Sequence, residues 1–106
     1  MKKKILLIAT GGTIASQISS DGLIPEIKAD ALVKFVPEIF QLCDVDAVQI
    51  YNIDSTNVTP KHWVELAKTI KDNYEKYDGF VVCHGTDTMS YTSAMLSYLI
   101  QRSPKP

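Results

Sequence analysis

The chain has 106 residues, 45% of them hydrophobic and 22% charged, with a formal net charge of −1. That is the make-up of an ordinary globular domain with one core, at the small end for an α/β architecture. Lysines and acids are spread along the chain, which speaks against a nucleic-acid groove, and no stretch approaches the ~18 apolar residues of a membrane span.

Lys2-Lys3-Lys4 followed by Ile5-Leu6-Leu7-Ile8-Ala9 has the outline of a secretory signal. The apolar run stops at Thr10-Gly11-Gly12, short of the ~7–15 residues such a signal needs. It reads instead as a strand over Lys4 to Ala9, buried on both faces, in a soluble cytoplasmic protein. Gly11 to Pro25 reads as a loop. Leu32, Phe35 and Val36 then recur at helical spacing until Pro37 interrupts them. The β-branched and aromatic residues from Val48 to Ile53 predict a second strand.

Thr59-Pro60 is a helix start, with Thr59 as N-cap and Pro60 in the first helical position. Trp63, Leu66, Ala67, Ile70 and Tyr74 mark the apolar face of that helix, which leaves His62 on the surface. Gly79 precedes a third buried strand, Phe80 to Cys83. The "HGTDT" of residues 84–88 opens a last helix, whose apolar stripe includes Met95, Leu96, Leu99 and Ile100. Cys43 and Cys83 lack metal-ligand spacing and read as two buried free thiols.

The order β-α-β-α-β-α predicts a three-layer, Rossmann-like α/β fold, a parallel sheet flanked by helices. Such sheets bind ligands at the carboxyl ends of their strands. Three segments fall there, Thr10 to Ser16, Asp54 to Asn57 and His84 to Thr88, all rich in Thr, Ser, Asp and Gly. Thr13 is a candidate nucleophile if a hydrogen-bond network activates its hydroxyl. Gly11 and Gly12 leave room for a substrate to approach the backbone, where turn amides can stabilise an oxyanion. Gly85 permits a sharp turn off the third strand, Thr86 adds a second hydroxyl, and Asp87 either caps the helix or binds a cationic amine. His84 supports the loop through hydrogen bonds or serves as a general base. Asp54, Ser55, Thr56 and Asn57 suit the charged ends of an amino acid. A thiol hydrolase at Cys83 is set aside, since Cys83 ends an apolar strand beside His84 and neighbours in a strand face opposite ways. "TGGTIAS" also lacks the glycine patterns of nucleotide loops.

These motifs resemble the bacterial-type L-asparaginase family, in particular its cytoplasmic members. "TGGTIAS" (residues 10–16) is similar to the family's first signature and "DGFVVCHGTDTMSYT" (residues 78–92) to its second, while "NIDSTNVTPKHW" matches in kind and order. The resemblance implies the N-terminal part of a two-domain fold, with residues 1–106 a truncated N-terminal domain and the C-terminal domain absent. It implies hydrolysis of the side-chain amide of L-asparagine, and often L-glutamine, with no metal or cofactor, by a homodimer or homotetramer. By motif, Thr13 is then the nucleophile, Thr86 the second catalytic threonine and Asp87 the third catalytic group, which binds the substrate amine while helping to polarise the network. Ser55 would hold the α-carboxylate; Gly12, Asp54, Thr56 and Gly85 would line the pocket.

Two departures stand out. Leu23 occupies the place of a tyrosine that the family hydrogen-bonds to the nucleophile, which leaves Ser19 or Ser20 as alternative activating groups. The family's catalytic lysine lies on a segment beyond the second threonine motif. The 106-residue piece by itself is therefore expected to have no appreciable asparaginase activity. The resemblance extends to the asparaginase-like subunit of the archaeal glutamyl-tRNA(Gln) amidotransferase, although Met1 standing just before the first strand favours the free enzyme. A third reading, from another class, is a noncatalytic amino-acid-sensing or assembly domain.

Overall fold

Lys3–Ala9 forms β1. The short helix α1 (Ile39–Leu42), β2 (Cys43–Gln49), α2 (Pro60–Asp72), β3 (Gly79–Cys83) and α3 (Met89–Leu99) follow, with 3-10 turns at Ser55–Asn57 and Tyr74–Lys76. The computed structural model describes residues 2–11 and 36–106. Gly12, Thr13, Ser19, Ser20, Leu23, Leu32 and Phe35 lie outside the described residues, and with them most of the expected first loop and first helix. Val36 is exposed, ahead of a turn through Pro37 and Glu38 that leads into α1.

The three strands are parallel, in the order β2-β1-β3. β1 pairs with β2 from Lys3↔Cys43 to Ala9↔Gln49 and with β3 from Ile5↔Gly79 to Ala9↔Cys83. A central strand of a parallel sheet has to be apolar on both faces, and β1 meets that demand. Leu7 and Ala9 join Val45 on one face, with Cys43, Ala47 and Cys83 beside them and Ile39 and Phe40 packed against them. Leu6 and Ile8 join Leu66 and Ile70 of α2 on the other, backed by Phe80, Val82, Leu96 and Ile100. Helices thus cover both faces, as the element order predicts.

The second strand differs from its expected position: it runs over Cys43–Gln49, not Val48 to Ile53. Cys43, Val45 and Ala47 face the core on one side, while Asp44 and Asp46 of the alternate register stay exposed. An outer strand tolerates such acids because one face reaches water. The Asp46 carboxylate accepts a hydrogen bond from the Tyr77 hydroxyl at 2.8 Å. The β-branched run beyond it has another use. Val48 and Ile50 pack against the α2-side core, and the backbone N–H groups of Ile50 and Ile53 donate to the carbonyls of Ala9 and Thr10, each at 3.1 Å.

α2 begins as expected, with Thr59 as N-cap and Pro60 in the first helical position. His62, expected merely at the surface, completes the cap: its Nδ1 accepts the Thr59 backbone N–H at 3.0 Å, a reciprocal arrangement that satisfies otherwise orphan donors. Of the expected apolar face, Leu66 and Ile70 are buried and Trp63 is half-buried. Tyr74 stands beyond the helix, its ring stacked on Phe80 at 6.0 Å. In α3 the stripe is narrower than expected, since Leu96 and the following Ile100 pack into the core whereas Leu99 is exposed.

Leu66 is 0% exposed and fills the space between α2 and β1. Replacing it by alanine removes buried methyl groups and leaves a cavity, a change that costs about 2–5 kcal/mol. Leu66→Ala in the full-length protein should lower the denaturation midpoint by that equivalent. Val64→Ala on the exposed side of the same helix should shift stability by no more than about 0.5 kcal/mol.

Candidate functional site

In the strand order β2-β1-β3 the chain moves from β1 to one neighbour and then crosses to the other, which makes the carboxyl ends of β1 and β3 a topological switch point. Thr10 stands at that point, 2% exposed. Its backbone N–H and its hydroxyl both donate to the Cys83 carbonyl, at 3.1 and 2.8 Å, and its carbonyl accepts the Ile53 N–H at 3.1 Å. One residue therefore ties the end of β1 to β3 and to the segment after β2.

Gly11 has φ +122°, and a Cβ there would lie 2.4 Å from the Ile53 carbonyl oxygen. L-residues avoid that backbone region. The missing side chain makes room for Ile53, not for the substrate expected to approach the backbone at this glycine.

The segments after β2 and β3 are locked together through Ser55, which is 4% exposed. Its Oγ accepts the Asp87 backbone N–H at 3.1 Å, and its carbonyl accepts the Thr88 hydroxyl at 2.7 Å. Gly85 completes the contact, because a Cβ on it would sit 2.8 Å from the Ser55 Cβ and 2.9 Å from its Oγ. Beside Ser55, the Asp54 carboxylate accepts both the backbone N–H and the hydroxyl of Thr56 at 3.0 Å. These two hydrogen bonds, the backbone one first, hold the Asp54 carboxyl below the usual carboxylate range. It stays an anionic acceptor at neutral pH.

Of the residues expected at the site, the fold brings together Asp54, Ser55 and Thr56 from one loop and Gly85, Thr86 and Asp87 from another. Gly12 and Thr13 lie outside the described residues. Thr86 and Asp87 are exposed. Capping does not account for Asp87: Thr88 is the N-cap of α3 and makes no side-chain cap hydrogen bond. Asp87 anchors its loop through its backbone, and among the described residues its carboxylate accepts no hydrogen bond.

His84 supports the loop, one of the two roles its position suggests. Its Nδ1 lies 2.6 Å from the Gly85 carbonyl oxygen and its Nε2 2.8 Å from the Thr92 hydroxyl. The same hydroxyl accepts the Trp63 indole N–H at 2.8 Å. Trp63 and Thr92 are not among the residues expected at the site. The available signal was Thr92 itself, a polar residue in line with Leu96 and Ile100 at four-residue spacing on an apolar helix stripe. A buried hydroxyl in such a place needs a partner.

Cys43 and Cys83 are both free but half-buried, less enclosed than expected. Cys83 lies against the Leu7, Ala9 and Val45 cluster, and burial pushes its thiol pKa up. A thiol raised in this way is a poor nucleophile at neutral pH.

Residues 4–106 match the family model described as Asparaginase, N-terminal. The chain belongs to the asparaginase family. Among curated relatives, it is 40% identical over 106 residues to a glutamyl-tRNA(Gln) amidotransferase subunit of Metallosphaera sedula, an alignment covering 97% of this chain and 24% of the relative. It is 42% identical over 105 residues to the subunit of the same name in Pyrococcus furiosus, with 96% and 24% covered. Among solved structures, the probable cytoplasmic L-asparaginase from Campylobacter jejuni superposes with a TM-score of 0.74 at 42% identity, covering 90% of this chain and 28% of that one. The chain thus spans about a quarter of the length of the relatives it matches. Among the described residues no helix is long and apolar enough to cross a membrane.

The close packing of Gly85 on Ser55 has a measurable consequence. Gly85→Ala should destabilise the full-length protein by about 1–3 kcal/mol, the usual cost of overpacking. Adding Ser55→Gly should recover a large part of that loss in a double-mutant cycle. An undiminished cost in the Ser55→Gly background would show that the contact is not what excludes a side chain at Gly85.

Proposed function

We infer that the protein is an amidohydrolase that converts L-asparagine to L-aspartate and ammonia. The observation that carries this reading is the joining of two polar turns through Ser55, which sets Asp54, Thr56, Thr86 and Asp87 around the carboxyl ends of the sheet. An amino acid presents a carboxylate, an ammonium and a side-chain amide, and each needs its own complement. The exposed Asp87 carboxylate suits the ammonium. Ser55 accepts the Asp87 N–H through its oxygen and keeps its hydroxyl proton for the substrate carboxylate.

In this mechanism the Thr13 hydroxyl attacks the amide carbon and gives up its proton. The tetrahedral intermediate collapses by breaking the C–N bond, and the departing nitrogen leaves as ammonia with the proton that Thr13 gave up. Water then cleaves the threonyl ester, releasing aspartate and restoring the hydroxyl. Thr86 takes the part of the second catalytic threonine, and Gly12 and Gly85 line the substrate pocket, Gly85 by letting Ser55 pack against its loop. The full-length protein acts as a homodimer or homotetramer in the cytoplasm, with a second domain following this one.

A second reading keeps the same chemistry but places it in an ammonia-supplying subunit of a glutamyl-tRNA(Gln) amidotransferase. Its support is the set of amidotransferase relatives at 37–42% identity. Ammonia release by the full-length protein against L-asparagine and L-glutamine, with Thr13→Ala and Thr86→Ala as controls, is the deciding measurement. Turnover of free L-asparagine is expected, with most of it lost in both variants. Turnover that requires a partner protein and charged tRNA would favour the second reading. Binding of aspartate without turnover of either amide would point to a sensing domain, and wild-type rates in both variants would overturn the roles of the threonines.

A further inference from the structure

The Trp63–Thr92–His84–Gly85 chain of hydrogen bonds runs from α2 through α3 to the loop that bears Thr86 and Asp87. Its direction follows from donor and acceptor chemistry. A carbonyl only accepts, so the 2.6 Å contact to the Gly85 oxygen assigns the imidazole proton to Nδ1. In a neutral imidazole Nε2 is then the acceptor and the Thr92 hydroxyl its donor, at 2.8 Å. The Thr92 oxygen in turn takes the indole N–H of Trp63. Thr92 is 3% exposed and, with Val82, His84, Met89, Ser93 and Leu96, lines a cavity of about 220 Å³. A hydroxyl as buried as that of Thr92 carries a desolvation cost when left unpaired, so its two hydrogen bonds support each other.

What the chain of hydrogen bonds holds is a peptide plane. The Gly85 carbonyl and the Thr86 N–H belong to one trans peptide and point in opposite directions. Fastening the carbonyl to His84 therefore fixes the way the Thr86 amide faces, while the bond from Asp87 N–H to Ser55 fixes the next peptide.

We propose that Thr92 is a positioning residue: acting through His84, with Trp63 bracing it from α2, it sets the orientation of the Gly85–Thr86 peptide and so the placement of Thr86 and Asp87 for reaction. This rests on the amidohydrolase reading above. Thr92 does not touch the substrate. Its contribution is geometric, and displacement of reacting groups by about 1 Å can cost on the order of 100-fold in rate.

The test uses the full-length protein and Thr92→Val, which keeps the shape and removes the hydroxyl. The expected result is a fall in kcat of about 10–100-fold, larger than any rise in KM. The indole N–H resonance of Trp63, assigned by its loss in Trp63→Phe, should move upfield, and the His84 tautomer should no longer be held as Nδ1–H. Thr92→Ser, which restores the hydroxyl, should return kcat to within about threefold of wild type. A folded Thr92→Val variant with wild-type kcat would overturn the proposal, as would an indole resonance unmoved by the substitution. Should Thr92→Val fail to fold, the wild-type imidazole still decides: a nitrogen spectrum showing the Nε2–H tautomer breaks the chain of donors. Absence of amide hydrolysis in the wild-type protein would overturn the functional reading itself, and the indole and imidazole signals distinguish that failure from failure of the network.

Discussion

Thr10 is the point on which the other contacts depend. β1 is the central strand, and each of its neighbours contributes a loop beyond its end. Those loops can meet only if the chain leaves β1 in a fixed direction. Thr10 sets that direction by giving both of its donors to Cys83 and its carbonyl to Ile53. Gly11 follows at once, and its positive φ lets the chain pass close to Ile53. Buried backbone groups in a parallel sheet must be paired somewhere, and here their pairing brings the segments after β2 and β3 to the end of β1.

From this anchor the site is assembled in steps. Ile53 against Thr10 brings the Asp54–Thr56 turn to the middle of the sheet edge. Ser55 then reaches across to take Asp87 and Thr88, and Gly85 allows the close approach. The Asp87 carboxylate, free of any capping duty, is left at the surface where a cationic group can meet it. Behind the loop, the helices that bury Leu66, Ile70 and Leu96 on one face of the sheet carry Trp63 and Thr92 to His84. Core packing and site geometry are therefore one arrangement: the helices that exclude water from Ile8 also orient the peptide before Thr86.

Family membership fits this construction without deciding its use. The Campylobacter jejuni protein and the amidotransferase relatives share comparable identity with this chain. The chain holds the sheet and the polar loops at its carboxyl edge, and under the amidohydrolase reading these release ammonia from an amide.

Much of this was legible in the residues. β1 was readable because burial on both faces demands an unbroken apolar run, and α2 because Thr59-Pro60 is a strong start signal. The polar character of the segments expected at three strand ends, and the asparaginase-like motifs within them, pointed to Asp54–Thr56 and Gly85–Asp87. The place of β2 was carried by the alternation of Cys43, Val45 and Ala47 with Asp44 and Asp46, the pattern of a half-buried strand, but the denser β-branched run through Val48 and Ile50, which serves core packing, outweighed it. Only the tertiary structure decided the strand order, the use of Gly11 to admit Ile53, the release of Asp87 from capping and the joining of Trp63, Thr92 and His84. Local pattern reports what each segment must bury. Which distant groups satisfy one another's hydrogen bonds is settled only when the segments meet.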